Sequence, residues 1–120
     1  MKGLDTCAII DFIRGCDSLK NVLEHHTDIV TNDYTYLEVL QGAKQKQPYE
    51  DFFARIESFP LTKKTFALAV QLKEESLRKG TEIPMHDCII AASFIEHNVQ
   101  TIITRDKHFT HIKDLKVISY

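Results

Sequence analysis

Short β-branched runs alternate with longer helical stretches along this chain, and that alternation leaves few folds open. Met1–Asp5 reads as a first strand that Gly3 weakens, and Asp28–Thr31 as a second of β-branched character. Phe59-Pro60-Leu61 reads as a very short edge strand, where proline is tolerated. Thr101–Thr104 and Lys116–Ser119 complete the set. Between them lie helical patterns. Residues from about Cys7 to Arg14 repeat apolar side chains at helical spacing up to Gly15, and Ser18–Glu24 makes a second short helix. Asn32 and Asp33 cap a helix running through Tyr36, Leu37, Val39, Leu40 and Ala43, and Pro48 opens another carrying Phe52, Phe53 and Ile56. The longest helix is expected over Thr62–Lys79, with Phe66, Ala69, Val70, Leu72 and Leu77 mainly along one stripe and Gly80 as its stop. The last helix, opened by Pro84, is apolar nearly all round from Cys88 to Ile95 and should be the buried one. Strands alternating with helices predict an α/β fold on a mainly parallel sheet. Right-handed crossovers then gather the strand C-termini, and the loops after them, at one edge where ligands bind.

At 120 residues the chain is the size of one domain, read here as residues 1–120, and long enough to bury a core without staples. The 43% hydrophobic content excludes a disordered segment. Cys7, Cys16 and Cys88 are odd in number and widely spaced, which excludes a zinc ribbon or a Cys-x-x-Cys redox site. No run approaches the roughly 20 apolar residues of a bilayer span, and Met1-Lys2 leads into no secretory signal. The expected location is the reducing cytoplasm, with no membrane partner.

Acidic residues fall where the predicted edge would gather them. Asp5 ends the first strand, Glu38 lies about two turns into the helix after the second, Asp87 is in the first turn after Pro84, and Asp106 follows the Thr101–Thr104 strand. Each has an ordinary explanation as a cap or turn residue, Asp106 most readily and Glu38 least, because Glu38 is flanked by Tyr36, Leu37, Val39 and Leu40. Together they are hard oxygen donors of the kind that hold Mg2+ or Mn2+ while leaving room for water. Unscreened, four such charges repel and raise some of their pKa values. The formal net charge is −2; without these four acids the rest of the chain is at +2, so the mild acidity is local.

Four segments carry a resemblance. Leu4-Asp5-Thr6 resembles the opening of PIN domains, and Glu38-Val39-Leu40-Gln41-Gly42-Ala43 is similar to the Glu-Leu-x-x-Gly-Ala segment of VapC toxins. Asp87-Cys88-Ile89-Ile90-Ala91-Ala92 resembles the family's Asp-x-x-Ile-Ala-Ala helix, and Thr104-Arg105-Asp106 with Phe109 its Thr-Arg-Asn/Asp-x-x-Phe segment. Order and spacing agree over nearly the whole chain. The resemblance implies a three-layer α/β/α sandwich and a Mg2+- or Mn2+-dependent endoribonuclease, the toxin of a toxin–antitoxin pair. It carries the catalytic and metal-binding roles onto Asp5, Glu38, Asp87 and Asp106, and makes Thr6 and Thr104 hydrogen-bonding supports of those acids. It further implies a homodimer silenced by a small antitoxin. Cys7 departs from the pattern, standing where Asn is common.

RNA contacts call for basic residues near the acidic edge. Arg105 is best placed, then Lys107, Arg14 and Lys44, each as a phosphate clamp; Lys44 and Lys107 read better as solvated charges. Tyr34 and Tyr36 are candidates to stack on a base, though core or interface packing explains them better. His108 and His111 with Asp106 suggest a transition-metal site less well than they suggest surface histidines, and His86 beside Asp87 is a weaker acid–base candidate. Two other functions stay open: a PIN nuclease of RNA processing with no antitoxin, and a non-catalytic PIN-like module binding RNA or protein.

Overall fold

The computed structural model describes residues 1–120. Five parallel strands, β1 (Lys2–Leu4), β2 (Ile29–Asn32), β3 (Glu57–Phe59), β4 (Thr101–Ile103) and β5 (Lys116–Ile118), form one sheet in the order β3-β2-β1-β4-β5. The helices are α1 (Thr6–Ile13), α2 (Asp17–Leu23), α3 (Asp33–Gly42), α4 (Gln47–Phe53), α5 (Lys63–Arg78) and α6 (Met85–Glu96), with a 3-10 turn at Lys107–His111.

Successive strand residues point to opposite faces, so each strand feeds two cores. Val30 and Ile102 join Phe59 and the α5–α6 residues Ala69, Ile90 and Phe94. Leu4 and Ile103 join Ala8 and Ile9 of α1, Leu19 of α2 and Val39 of α3 on the other face. The result is a three-layer α/β/α sandwich. Because β1 leads outward to β2 and β3 before the chain returns to β4, the crossover direction reverses between β1 and β4. The crevice at the carboxyl ends of those two strands is the ligand position of such sheets.

Gly3 marks a packing need. A Cβ there would stand 2.6 Å from the Phe94 ring, so the missing side chain lets that ring lie against β1. Helix α6 is the buried one, with Asp87, Cys88, Ile90, Ala91, Ala92, Ser93 and Phe94 all withdrawn from solvent. Two expectations are corrected. The third strand lies before Pro60, at Glu57–Phe59: these residues retain the N–H groups that pair with β2, which Pro60 lacks. On α5 the buried face is Thr65, Ala69 and Ser76, with Leu72 packed beside it, whereas Phe66, Val70 and Leu77 are about half exposed. Small side chains let α5 lie close against α6, and the bulky apolar stripe falls outside.

Candidate active site

Asp5 occupies the first position after β1 and caps α1. Its Oδ1 accepts from the Ala8 amide at 3.0 Å, and its Oδ2 accepts from the Thr104 hydroxyl at 2.5 Å. The Thr104 oxygen in turn accepts from the Asp106 amide at 2.9 Å, which joins the ends of β1 and β4. Asp5 is 3% exposed. Burial raises its carboxyl to about 6; the Thr104, Ala8 and Cys7 hydrogen bonds pull the other way, and the charge of Asp106 adds to the rise.

Glu38 reaches the same place from the second turn of α3, where Thr6 at the start of α1 donates to its Oε1 at 2.5 Å. Asp87, also 3% exposed, sits in the first turn of α6. Its carboxyl is raised by burial and by Asp106, against the lowering effect of His86 and His108. Asp106 caps the 3-10 turn through the His108 amide at 2.9 Å. All four acids line one cleft of about 210 Å³, together with Thr6, Cys7, His86, Ile10 and Ile90.

The charge balance of this cleft is unusual. No lysine or arginine pairs with any of the four acids; the nitrogen groups within reach are imidazoles, His86 Nε2 at 3.4 Å and His108 Nδ1 at 2.9 Å from Asp87. Buried carboxylates without basic partners, supplied with several free oxygen lone pairs, fit a hard divalent cation.

The basic residues lie elsewhere. Arg105 turns its guanidinium to Asp11, Nε donating to Oδ2 at 2.7 Å, and Tyr120 donates to the same oxygen at 2.6 Å. Arg14 is at the far end of α1 from Asp5, exposed, close enough to help lower the Asp11 carboxyl. Neither arginine lines the cleft. His111 lies away from it as well, beside Leu72, Ser76 and Lys79.

Two contacts go beyond what the residue pattern indicated. Cys7 places its sulfur 3.2 Å from both Asp5 oxygens and 3.5 Å from the Thr104 hydroxyl, so an S–H donor fills the position where Asn is common. Burial and the Asp5 charge push that thiol up to about 11, so it remains protonated and able to donate. His108 is held by its own amide against Asp106 while its ring reaches Asp87. Its spacing two residues after Asp106 is the available signal, and it is informative only once the segment is known to be a tight 3-10 turn.

The sequence matches the PIN domain family model over residues 3–115. The chain belongs to the PIN domain family. Among solved structures it is similar to VapBC2 from Rickettsia felis bound to a promoter DNA fragment, with 24% identity, a TM-score of 0.82, and 99% of this chain and 98% of that chain covered. A toxin–antitoxin complex from Klebsiella pneumoniae is 25% identical with a TM-score of 0.82, covering 98% and 96% of the two chains. FitAcB from Neisseria gonorrhoeae is 21% identical with a TM-score of 0.79 over 98% and 96%. Among curated proteins, none is matched by the chain. No helix of this PIN domain is long and apolar enough to cross a membrane.

Proposed function

We propose that this PIN-domain protein is a metal-dependent endoribonuclease, the toxin of a toxin–antitoxin pair. The observation that carries the reading is the cleft itself: Asp5, Glu38, Asp87 and Asp106 come from four separate elements, line one opening, and have no lysine or arginine to neutralise them. The toxin assignment draws on the toxin–antitoxin complexes among the similar structures.

Asp5, Glu38, Asp87 and Asp106 would hold the cation, Mg2+ or Mn2+. Such an ion lowers the pKa of a bound water and offsets the charge that builds at phosphorus during in-line attack. The chain's own residues do the rest. Thr104 and the Ala8 amide fix the Asp5 carboxylate, and Thr6 fixes Glu38, so the oxygens are oriented before a ligand arrives. Half-buried Ile10 and buried Ile90 supply apolar lining beside the acids, and such low-dielectric surroundings strengthen their field. Arg105, next in sequence to Asp106, and Arg14, at the far end of α1, would clamp RNA phosphates.

Purified protein should cut single-stranded or structured RNA when Mg2+ or Mn2+ is supplied. Chelation or Asp5→Asn should abolish cutting. Cleavage that survives both would refute the reading. Co-purification of a small protein encoded beside this chain is the expected outcome for a toxin; cutting RNA with no such partner and no growth arrest on expression would instead place it in RNA processing. A homodimer is the expected assembly, measured by light scattering.

A further inference from the structure

One donor atom each from Asp87, Asp106 and His108 lies within 4.8 Å of the others. His108 Nδ1 is 2.9 Å from Asp87 Oδ2 and 3.1 Å from Asp106 Oδ1. Ligands at roughly 2.0–2.1 Å from one octahedral ion stand about 2.9 Å apart at neighbouring vertices. The imidazole nitrogen is therefore spaced from both carboxylate oxygens as neighbouring ligands of one ion would be. The residue is also held by its main chain, since the His108 amide donates to the same Asp106 oxygen at 2.9 Å. The ring is about half exposed but already stands beside Asp87 and Asp106, so an ion held by those two acids meets it without rearrangement.

We propose that His108 is a direct nitrogen ligand of the cation held by Asp87 and Asp106, which makes the site favour late first-row metals over magnesium. The proposal rests on the reading that these acids hold a divalent cation, and it adds a donor of a different chemical class. Carboxylates and water suit Mg2+, Ca2+ and Mn2+, whereas imidazole suits Ni2+, Zn2+ and Fe2+. Removing the nitrogen should therefore act unequally on the two groups of ions. The competing role for His108 is a hydrogen bond that only positions Asp87, which would affect every ion alike.

The test uses the full, tag-free chain at one mildly alkaline pH. Calorimetric titration with MgCl2 and NiCl2 should show that His108→Ala weakens Ni2+ at least about tenfold and Mg2+ by less than about twofold. Pulsed EPR of the Mn2+-loaded wild type should show nitrogen modulation. That modulation should persist in His86→Ala, which removes the other imidazole near Asp87, and vanish in His108→Ala. Equal loss of both ions, or no nitrogen modulation in the wild type, or its loss in His86→Ala alone, would overturn the assignment. The EPR of wild type and His86→Ala decides the matter even if His108→Ala fails to fold. Wild type that binds no divalent cation defeats the proposed function as well; Mg2+ binding without nitrogen coupling defeats the His108 assignment only.

Discussion

Replacing Asp5 with asparagine isolates the cost of keeping a charge in the cleft. Asp5 is 3% exposed, and its carboxyl is raised from 3.8 to about 6, chiefly by burial. A group raised on folding binds its proton more tightly in the folded state. Its contribution is intact below the unfolded value and is lost as the pH climbs through about 6. At 1.36 kcal/mol per unit, the shift of about two units amounts to about 3 kcal/mol above pH 7, about half of that at pH 5 and roughly 0.5 kcal/mol at pH 4. Asparagine is neutral throughout and nearly the same shape. It retains an oxygen for the Ala8 amide, and the Thr104 hydroxyl can turn to accept from its NH2 group. In chelator at about pH 8, Asp5→Asn should therefore be more stable than wild type by roughly 2–3 kcal/mol, and by clearly less at about pH 5. Urea unfolding followed by circular dichroism at the two pH values measures both. Excess Mg2+ should erase that advantage, because ligand at a hundred times its Kd adds about 2.7 kcal/mol to the species that binds it. The reasoning is refuted if the variant is no more stable than wild type at the higher pH in chelator. An advantage that does not change with pH refutes it equally.

Three further outcomes follow from single contacts. Gly3→Ala should cost about 1–3 kcal/mol in urea unfolding with an unchanged slope, because the new Cβ meets the Phe94 ring at 2.6 Å; adding Phe94→Leu should recover part of the loss. Iodoacetamide, followed by mass spectrometry of the intact native protein, should modify Cys16, half-buried but with its thiol lowered chiefly by Ser18, well before Cys7, which burial and Asp5 hold up at about 11. Asp11→Asn should weaken the hold on Arg105 and steepen the salt dependence of RNA binding by about 0.7 in log–log slope, the amount for one added phosphate contact to a single strand; an unchanged slope would leave Arg105 without a part in binding.

The α/β class was legible because two signals agreed, β-branched runs too short for helices and an α6 segment apolar on every side; the three layers came from the resemblance. What could not be read was which face of α5 is inward. Hydrophobicity favours Phe66, Val70 and Leu77, yet the buried positions are Thr65, Ala69 and Ser76. Close approach between helices depends on side-chain size, and the chain alone does not say how near its neighbour will lie. The third strand was misplaced for a related reason. Pro60 looked like part of an edge strand, but parallel pairing with β2 uses residues whose N–H groups survive, and these precede it.

Capping and ligation are rival explanations of an acid after a strand only if they need the same lone pair, and the geometry here shows that they do not. A cap consumes one carboxylate lone pair and fixes the side chain's direction; it leaves the other lone pairs aimed away from the helix. Asp5 spends Oδ1 on the Ala8 amide, and in doing so it turns Oδ2 toward Thr104 at the mouth of the β1–β4 crevice. Asp106, the acid a cap explains most readily, does cap its turn, and the same oxygen faces the His108 ring. The cap is what holds the potential ligand in place at no extra cost in side-chain entropy. Glu38 is the exception that supports the rule. It sits in the second turn of a helix, where no amide is free to orient it, and a hydroxyl from a separate element, Thr6, takes over that task. A residue pattern can therefore nominate the acids, but it cannot decide between cap and ligand, because in this fold an acid that caps keeps other lone pairs free for an ion.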